Sequence, residues 1–432
     1  MHDPQSLLAP EAAAYRQLAR RGYQLDADTL GSLVRGRADT IAARDTLRAE
    51  LNAISRRMRG GQMTEAERVA AVESARDLKE RIGKAEALRR TWESDLTAIL
   101  QTIPNIPLDE VPDGGPEDPA VEIRRWGQAP HFEFTPRDHV DLGTATGILD
   151  LGRATKLSGS RFSVARQAGA LLERALASFL LDLHTKENGY VEYSVPHLVT
   201  RETMTGTGQL PKFADDLFRT HVADRELFLV PTAEVPLVNL YRDETVPADD
   251  LPLALTAHTA CFRSEAGSYG RDTRGIIRLH QFAKVELVRL CLLEDAAEQL
   301  QLLLAHAEEC LKRLGLHHRV VELRAGDLGF SARRTYDLEV WLPSQDCFRE
   351  ISSVSDCGPF QARRAGIRGR RGGKKEHLAT LNGSGLPIGR TVVAIIEQYQ
   401  QRDGSIDVPA ALVPYTGFSS IGPDGSMRKA GA

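Results

Sequence analysis

Residues able to grip a charged ligand recur at alternate positions in the segment CFRSEAGSYGRDTRGIIRLHQFAKVELV, Cys261 to Val288. Two stretches of β character, ACFRSE and RLHQFAKVELV, flank a polar Gly/Arg loop. Successive side chains of a strand point to opposite faces, so Arg263 and Glu265 share one face, and Phe282, Lys284 and Glu286 likewise share one. Burying cations, carboxylates and a ring together is unfavourable unless a ligand or partner satisfies them. If that ligand carries phosphate, the rigid fork of arginine suits its oxygens. A surface hairpin laced with salt bridges explains the same pattern equally well. Other candidates are weaker in isolation: Arg390 of a lone GR pair reads as a helix-start ion pair, Glu350-x-x-Ser353 is a very weak metal signal, and Thr232 and Ser384 read as turn hydroxyls. Phe282 by itself reads as core.

These residues need a scaffold, and the chain offers two kinds. From about Thr29 to Arg59 it is rich in Arg, Ala, Glu and Leu without proline, then breaks at Gly60-Gly61; a second such run goes from Thr64 to Ile103 and stops at Pro104. Leu78, Ile82, Ala85, Trp92, Leu96, Ile99 and Ile103 follow a heptad rhythm, as do Leu47, Leu51, Ile54 and Met58. Two helices joined by so short a turn must fold back as an antiparallel coiled-coil hairpin, an arm about 45 Å long. Arg44, Arg48, Arg56, Arg57 and Arg59 lean it towards a phosphate backbone, although Glu50 and Glu65 dilute the charge and a hairpin that only spaces or dimerises fits too.

The stretch IPNIPLDEVPDGGPEDP and its continuation to about Pro136 is dense in Pro, Gly and Asp and has no apolar period, so residues 111–135 read as a linker between an amino-terminal domain, 1–110, and a larger domain, 136–432. Beyond it, helical patterns such as Ala168 to Lys186 mix with β-rich runs such as LFLVPTAEVP and VVELRAG, which indicates an α+β fold and not a regular βαβ alternation. There is no Walker-type phosphate loop and no Rossmann glycine fingerprint.

Composition agrees with a soluble protein of two domains. The chain has 432 residues, 42% hydrophobic and 26% charged, with a formal net charge of −4 that excludes a bulk polycation. A nucleic-acid partner would have to be met by local basic surface. The five cysteines, 261, 291, 310, 347 and 357, lack zinc-ligand spacing and read as reduced thiols. No signal peptide or transmembrane run is evident, so the cytoplasm is expected, with neither membrane nor DNA as a partner.

Cys261 to Val288 resembles motif 2 of class II aminoacyl-tRNA synthetases, in the form characteristic of seryl-tRNA synthetases. Further segments match in the same order: GYVEYSVP ending at Pro196 is similar to motif 1, GTGQLPKF at 206–213 and PTAEVP at 231–236 to the serine-site segments, and TLNGSGLPIGRTVVAIIEQYQ from Thr380 to motif 3. DLEVWLPSQDCFREISS and FQARR lie between them, and the resemblance runs from the helical hairpin nearly to the carboxyl end.

The resemblance implies a class II synthetase fold, an antiparallel sheet flanked by helices, behind the coiled-coil arm. It implies activation of L-serine with ATP to the adenylate and transfer to tRNA(Ser) by a homodimer formed through motif 1, with Mg²⁺ as the metal. Arg263 would contact the α-phosphate and the serine carboxylate, and Arg390 the γ-phosphate. Glu265 would read adenine or its neighbourhood and Phe282 would stack on it, with Glu350 and Ser353 on Mg²⁺. Glu286 and Ser384 would hold the serine hydroxyl, and Thr232 and Glu234 its amino group. The sequence departs from the family pattern at Val354 (usually Cys), Asp356 (usually Asn), Gly358-Pro359 (usually acidic), Ala283 (usually polar) and Pro387 (usually small). None removes a residue with an implied role. Three other readings remain: a ligase loading a carrier protein, a catalytically dead paralogue, or a second synthetase serving antibiotic resistance or biosynthesis.

Overall fold

Two long helices, α1 (Ala27–Arg59) and α2 (Glu65–Thr102), form the expected hairpin. The Asp26 side chain caps α1 by accepting from the Thr29 N–H, and Thr64 and Glu67 cap α2 reciprocally. Between them Gly61 adopts φ 71°, which reverses the chain. Leu78, Leu96 and Ile103 of the heptad seam are buried, and Leu47, Leu51, Ile54 and Met58 are half-buried. Trp92 of α2 packs against Gly36 of α1: a Cβ at that glycine would meet the indole at 2.8 Å. Arg37–Glu93, at 3.2 Å, and Arg48–Glu86 tie the two helices across the seam.

This computed structural model describes residues 1–9, 13–61, 63–266 and 274–429. Most of the polar loop read between ACFRSE and RLHQFAKVELV, residues 267–273, lies outside the described residues. The chain divides into two compact units, residues 1–19 with 23–104, which hold the hairpin, and residues 20–22 with 105–432.

The second unit is built on an eight-stranded sheet. In chain order its strands are β1 (Val121–Trp126), β2 (Val191–Glu192), β3 (Leu253–Phe262), β4 (Gln281–Cys291), β5 (His318–Glu322), β6 (Arg334–Leu342), β7 (Cys347–Gly358) and β8 (Ala379–Pro387), and their spatial order is β1-β5-β6-β7-β8-β4-β3-β2. All neighbours are antiparallel except β2, which runs parallel to β3. One face carries the main core, where α3 (Ala168–Asp182), α5 (Ala296–Arg313) and α7 (Ile388–Gln398) pack on sheet residues that include Val285, Leu287 and Leu381. On the other face, α4 (Glu234–Asn239) and α6 (Phe360–Ala365) pack over Leu255, Ala257, Val288 and Leu290. A fully buried leucine or isoleucine contributes about 1.5–3 kcal/mol. In β4 the odd positions Val285 and Leu287 thus face the main core, while on the opposite face Val288 and Leu290 pack under α4 and α6 and Phe282, Lys284 and Glu286 line a cavity.

Two expectations change. Residues 111–135 are not a free linker, because β1 pairs with β5 at the sheet edge. Its pattern, VEIRRW, hides this because charge holds it: Arg124 meets Glu308 at 2.7 Å and Glu122 meets Arg319 at 3.2 Å. The arm ACFRSE also stops earlier than expected, at Phe262. There the chain leaves its partner strand for Asp215–Asp216: the Ser264 N–H donates to the Asp216 carbonyl at 3.0 Å and the Ala266 N–H to the Asp216 carboxylate at 2.8 Å. Glu265 between them takes φ 54°.

Candidate active site

Three adjacent strands form the floor. In β4 the even positions Phe282, Lys284 and Glu286 point away from the helical core, and the register sets Glu286 opposite Ala257 of β3 and Ser384 of β8. A bulge between Ser384 and Pro387, with Leu386 at φ 81°, brings the chain from the sheet into α7. Arg390 therefore sits in the first turn of a helix that begins at the sheet edge of the cavity. Ser353 comes from β7, opposite Asp337 of β6.

All ten residues singled out from the sequence, Thr232, Glu234, Arg263, Glu265, Phe282, Glu286, Glu350, Ser353, Ser384 and Arg390, line one cavity of about 200 Å³. It adjoins a wider cavity of about 660 Å³ that shares Thr232, Glu234, Arg263, Glu265 and Ser353 and extends past Gln209 and Phe330. Sequence separation is large, from 232 to 390, and the sheet removes it.

Two of the lining carboxylates, Glu286 and Glu234, lie near each other. Glu286, 2% exposed, accepts at Oε2 from the Thr232 hydroxyl at 2.8 Å and from the Lys284 ammonium. That oxygen is saturated, which leaves Oε1 for the cavity. Thr232 also accepts from the Glu234 N–H at 3.3 Å, so one hydroxyl ties the start of α4 to the floor. The Glu234 carboxyl is pushed up to about 7, first by burial and then by the nearby charge of Glu286.

Cations line the same cavity. The Arg263 guanidinium lies 5.3 Å from the centroid of the Phe282 ring and donates to the Pro231 carbonyl at 3.3 Å. Arg390 is held from two sides, by the Ile277 carbonyl at 3.1 Å and the Glu350 carbonyl at 2.9 Å, and its contact with the Glu350 carboxylate is longer, 3.4 Å. Glu265 pairs with Arg278 at 3.0 Å. Asp337, buried beside Ser353 and Glu350, has an Oδ1 without a hydrogen-bond partner, and burial followed by Glu350 raises its carboxyl well above the usual range.

Lys284, read from the sequence on the face of Phe282 and Glu286 but given no role, lines the cavity with them. Neighbours that carry no signal in spacing are Gln361, Arg278 and the buried pair His139–Glu397. His139 gives its Nδ1 proton to Glu397 at 2.9 Å and accepts from the Ile276 N–H at 3.3 Å, fixing the segment whose next carbonyl holds Arg390.

Of the departures, Val354 is fully buried in the main core. Asp356 is paired with Arg333 at 2.7 Å and accepts from the Gly358 N–H at 2.6 Å. Gly358 has φ 51°, and a Cβ there would lie 2.9 Å from the Arg333 side chain, so the glycine makes room for that pair.

Known proteins carry the same combination. Residues 1–107 match the model of the seryl-tRNA synthetase N-terminal domain and residues 218–399 that of the class II tRNA synthetase core domain for G, H, P, S and T. The chain is 62% identical over 429 residues to a serine–tRNA ligase 2 of Streptomyces avermitilis, covering 99% of this chain and 100% of the relative. It is 50% identical over 408 residues to a serine–tRNA ligase of Syntrophotalea carbinolica, covering 94% and 96%. The crystal structure of seryl-tRNA synthetase from Pyrococcus horikoshii complexed with ATP superposes with a TM-score of 0.90 at 33% identity, over 98% of this chain and all of that one. With a matched arm, a matched core and relatives aligned end to end, the chain belongs to the seryl-tRNA synthetase family of class II aminoacyl-tRNA synthetases.

Proposed function

We propose that this protein activates L-serine with ATP to seryl-adenylate and pyrophosphate and then transfers serine to the 3′ end of tRNA(Ser). The observation that carries the reading is one cavity lined both by the carboxylates Glu234 and Glu286 and by the arginines Arg263 and Arg390, inside a fold whose relatives are serine–tRNA ligases. In this reading Glu234 and Thr232 receive the serine ammonium, and Glu286 Oε1 with Ser384 receives the hydroxyl. A site whose buried groups need that hydroxyl rejects alanine by roughly 10⁴–10⁵, because they would otherwise stay unpaired. Arg263 draws the serine carboxylate and the α-phosphate together, two anions that repel in water. Phe282 offers a ring face to the purine, Glu265 reads its edge or surroundings, and Arg390 holds the γ-phosphate.

In the first step a serine carboxylate oxygen attacks the α-phosphorus and pyrophosphate leaves, with no proton to remove from the nucleophile. In the second, the terminal tRNA hydroxyl attacks the acyl carbon, AMP leaves, and the hydroxyl proton passes to a phosphate oxygen of the adenylate. No histidine lines either cavity among the described residues, which fits proton transfer within the substrates.

The residues fit Mg²⁺: Glu350 and Ser353 are hard oxygen donors at the cavity, and the orphaned oxygen of Asp337 lies beside them. When bound, the ion supplies charge neutralisation of the ATP phosphates.

The hairpin, with the amino-terminal domain of residues 1–110, is assigned to the tRNA and residues 136–432 to catalysis. A homodimer through the segment ending at Pro196 is supported by β2, an edge strand with Val191 exposed. A cytoplasmic location fits a protein in which no described helix is long and apolar enough to cross a membrane. The test is ATP–pyrophosphate exchange with serine, threonine, alanine and glycine, followed by charging of tRNA(Ser). Serine-dependent exchange with charging is expected. Exchange without charging would assign another acceptor, and no exchange would overturn the reading.

A further inference from the structure

Glu234 does not set its own orientation. Its Oε1 accepts at 2.5 Å from Nε2 of Gln361, a fully buried residue of α6. The same nitrogen donates to the Thr207 carbonyl at 3.1 Å, and the Gln361 oxygen accepts at 2.6 Å from the Thr380 hydroxyl of β8. Turning the amide over would aim its oxygen at a carboxylate and a carbonyl, so these partners permit one orientation only. The Thr207 carbonyl is itself fixed by the Ser331 hydroxyl at 2.9 Å. Gln361 spends both amide hydrogens and its oxygen on protein groups, and nothing of it is left for a substrate.

We infer that Gln361 is the positioning residue of the serine ammonium subsite: it occupies Oε1 of Glu234 and so presents Oε2 to the cavity. This rests on the reading of Glu234 as the ammonium acceptor. The physical reason is that a carboxylate on a flexible side chain, beside the like charge of Glu286, would otherwise turn towards the cations Lys284 and Arg263, the other charged groups that face it along with the Cys357 thiol. A neutral donor holds it without adding a competing positive charge. A lysine or arginine at 361 would neutralise Glu234 and compete with the substrate's own ammonium.

Three variants of the full-length enzyme test this in serine-dependent ATP–pyrophosphate exchange. Gln361→Glu is nearly isosteric and sets two carboxyl groups against each other, so a proton must be shared between them. Gln361→Met removes the donor, and Thr380→Val removes only the hydroxyl that orients the amide. The serine KM is expected to rise about 10- to 100-fold in the first two and less in the third, from the loss of a charge-assisted hydrogen bond. The ATP KM should stay within about twofold, and the preference for serine over alanine should persist, because Glu286 reads the hydroxyl. For Gln361→Glu the pH dependence of the serine KM should move up by about one unit or more. The ATP KM and the melting temperature report whether each variant folds. An unchanged serine KM in both Gln361 variants, with Glu234→Gln raising it, overturns the inference and leaves the subsite reading intact. A Glu234→Gln enzyme with unchanged serine KM overturns both. Parallel losses for serine and ATP in Thr380→Val and Gln361→Glu would assign Gln361 a purely structural role and overturn the inference too.

Discussion

With Glu234 as the proposed ammonium acceptor, its side chain would tie pH to substrate binding. Burial and the charge of Glu286 push its carboxyl up to about 7, so below that pH the neutral form grows, and it attracts the serine ammonium less. The serine KM should rise about tenfold per pH unit on the acid side, as the competent fraction falls, with the ATP KM following no such trend. Exchange kinetics between pH 5.5 and 8.5, at saturating ATP, measure this. The sign for stability follows the same shift: the folded protein holds this proton longer than the unfolded chain, so the group's contribution to stability falls as pH rises from the ordinary glutamate range to about 7 and is constant above it. Asp356 is ion-paired with Arg333. Removing that cation in Arg333→Met leaves a buried carboxylate, and urea denaturation should show a loss of about 3–5 kcal/mol. Adding Asp356→Asn to it should recover most of the loss, since the amide oxygen can still accept from the Gly358 N–H.

Among the elements, the hairpin is sensitive where Trp92 packs against Gly36. A side chain at Gly36 would meet the Trp92 ring at 2.8 Å, so Gly36→Val should force the helices apart and destabilise the arm by about 1–3 kcal/mol. The helical circular-dichroism signal would then melt earlier, while serine adenylation stays unchanged. In β4 the alternation has the opposite consequence: Val285 and Leu287 belong to the core, whereas Lys284 and Glu286 serve the cavity. A one-residue slip of this strand would exchange the two sets. The register with both β3 and β8 prevents it.

For the whole molecule, the division of labour between hairpin and sheet makes a separable prediction. Excising residues 46–88, which removes Arg48, Arg56, Arg57 and Arg59 from the tip, and closing the shortened helices with two glycines should leave serine-dependent exchange near its original rate. Charging of tRNA(Ser) should fall by about two orders of magnitude or more, through loss of the phosphate contacts of the arm. Aminoacylation that survives the excision would assign tRNA recognition elsewhere.

The sequence by itself determined the hairpin, because a heptad rhythm and a Gly-Gly break are local signals that need no partner to be read. It also carried the ten cavity residues, through the resemblance of their segments to class II synthetase motifs, whereas each residue type in isolation was ambiguous. What it could not determine was how that cavity is supported. Gln361 reaches Glu234 across 127 positions of chain, and His139 reaches Glu397 across 258. Neither distance leaves a trace in periodicity. The edge strand β1 was invisible for a related reason, since ion pairs to β5 and α5 hold it where apolar alternation is lacking. The limits of ACFRSE were decided by Asp216, a residue from another part of the fold that draws the chain off the sheet after Phe262. Local patterning specifies elements through backbone periodicity, whereas hydrogen bonds between distant polar groups exist only once the chain has folded and set them face to face.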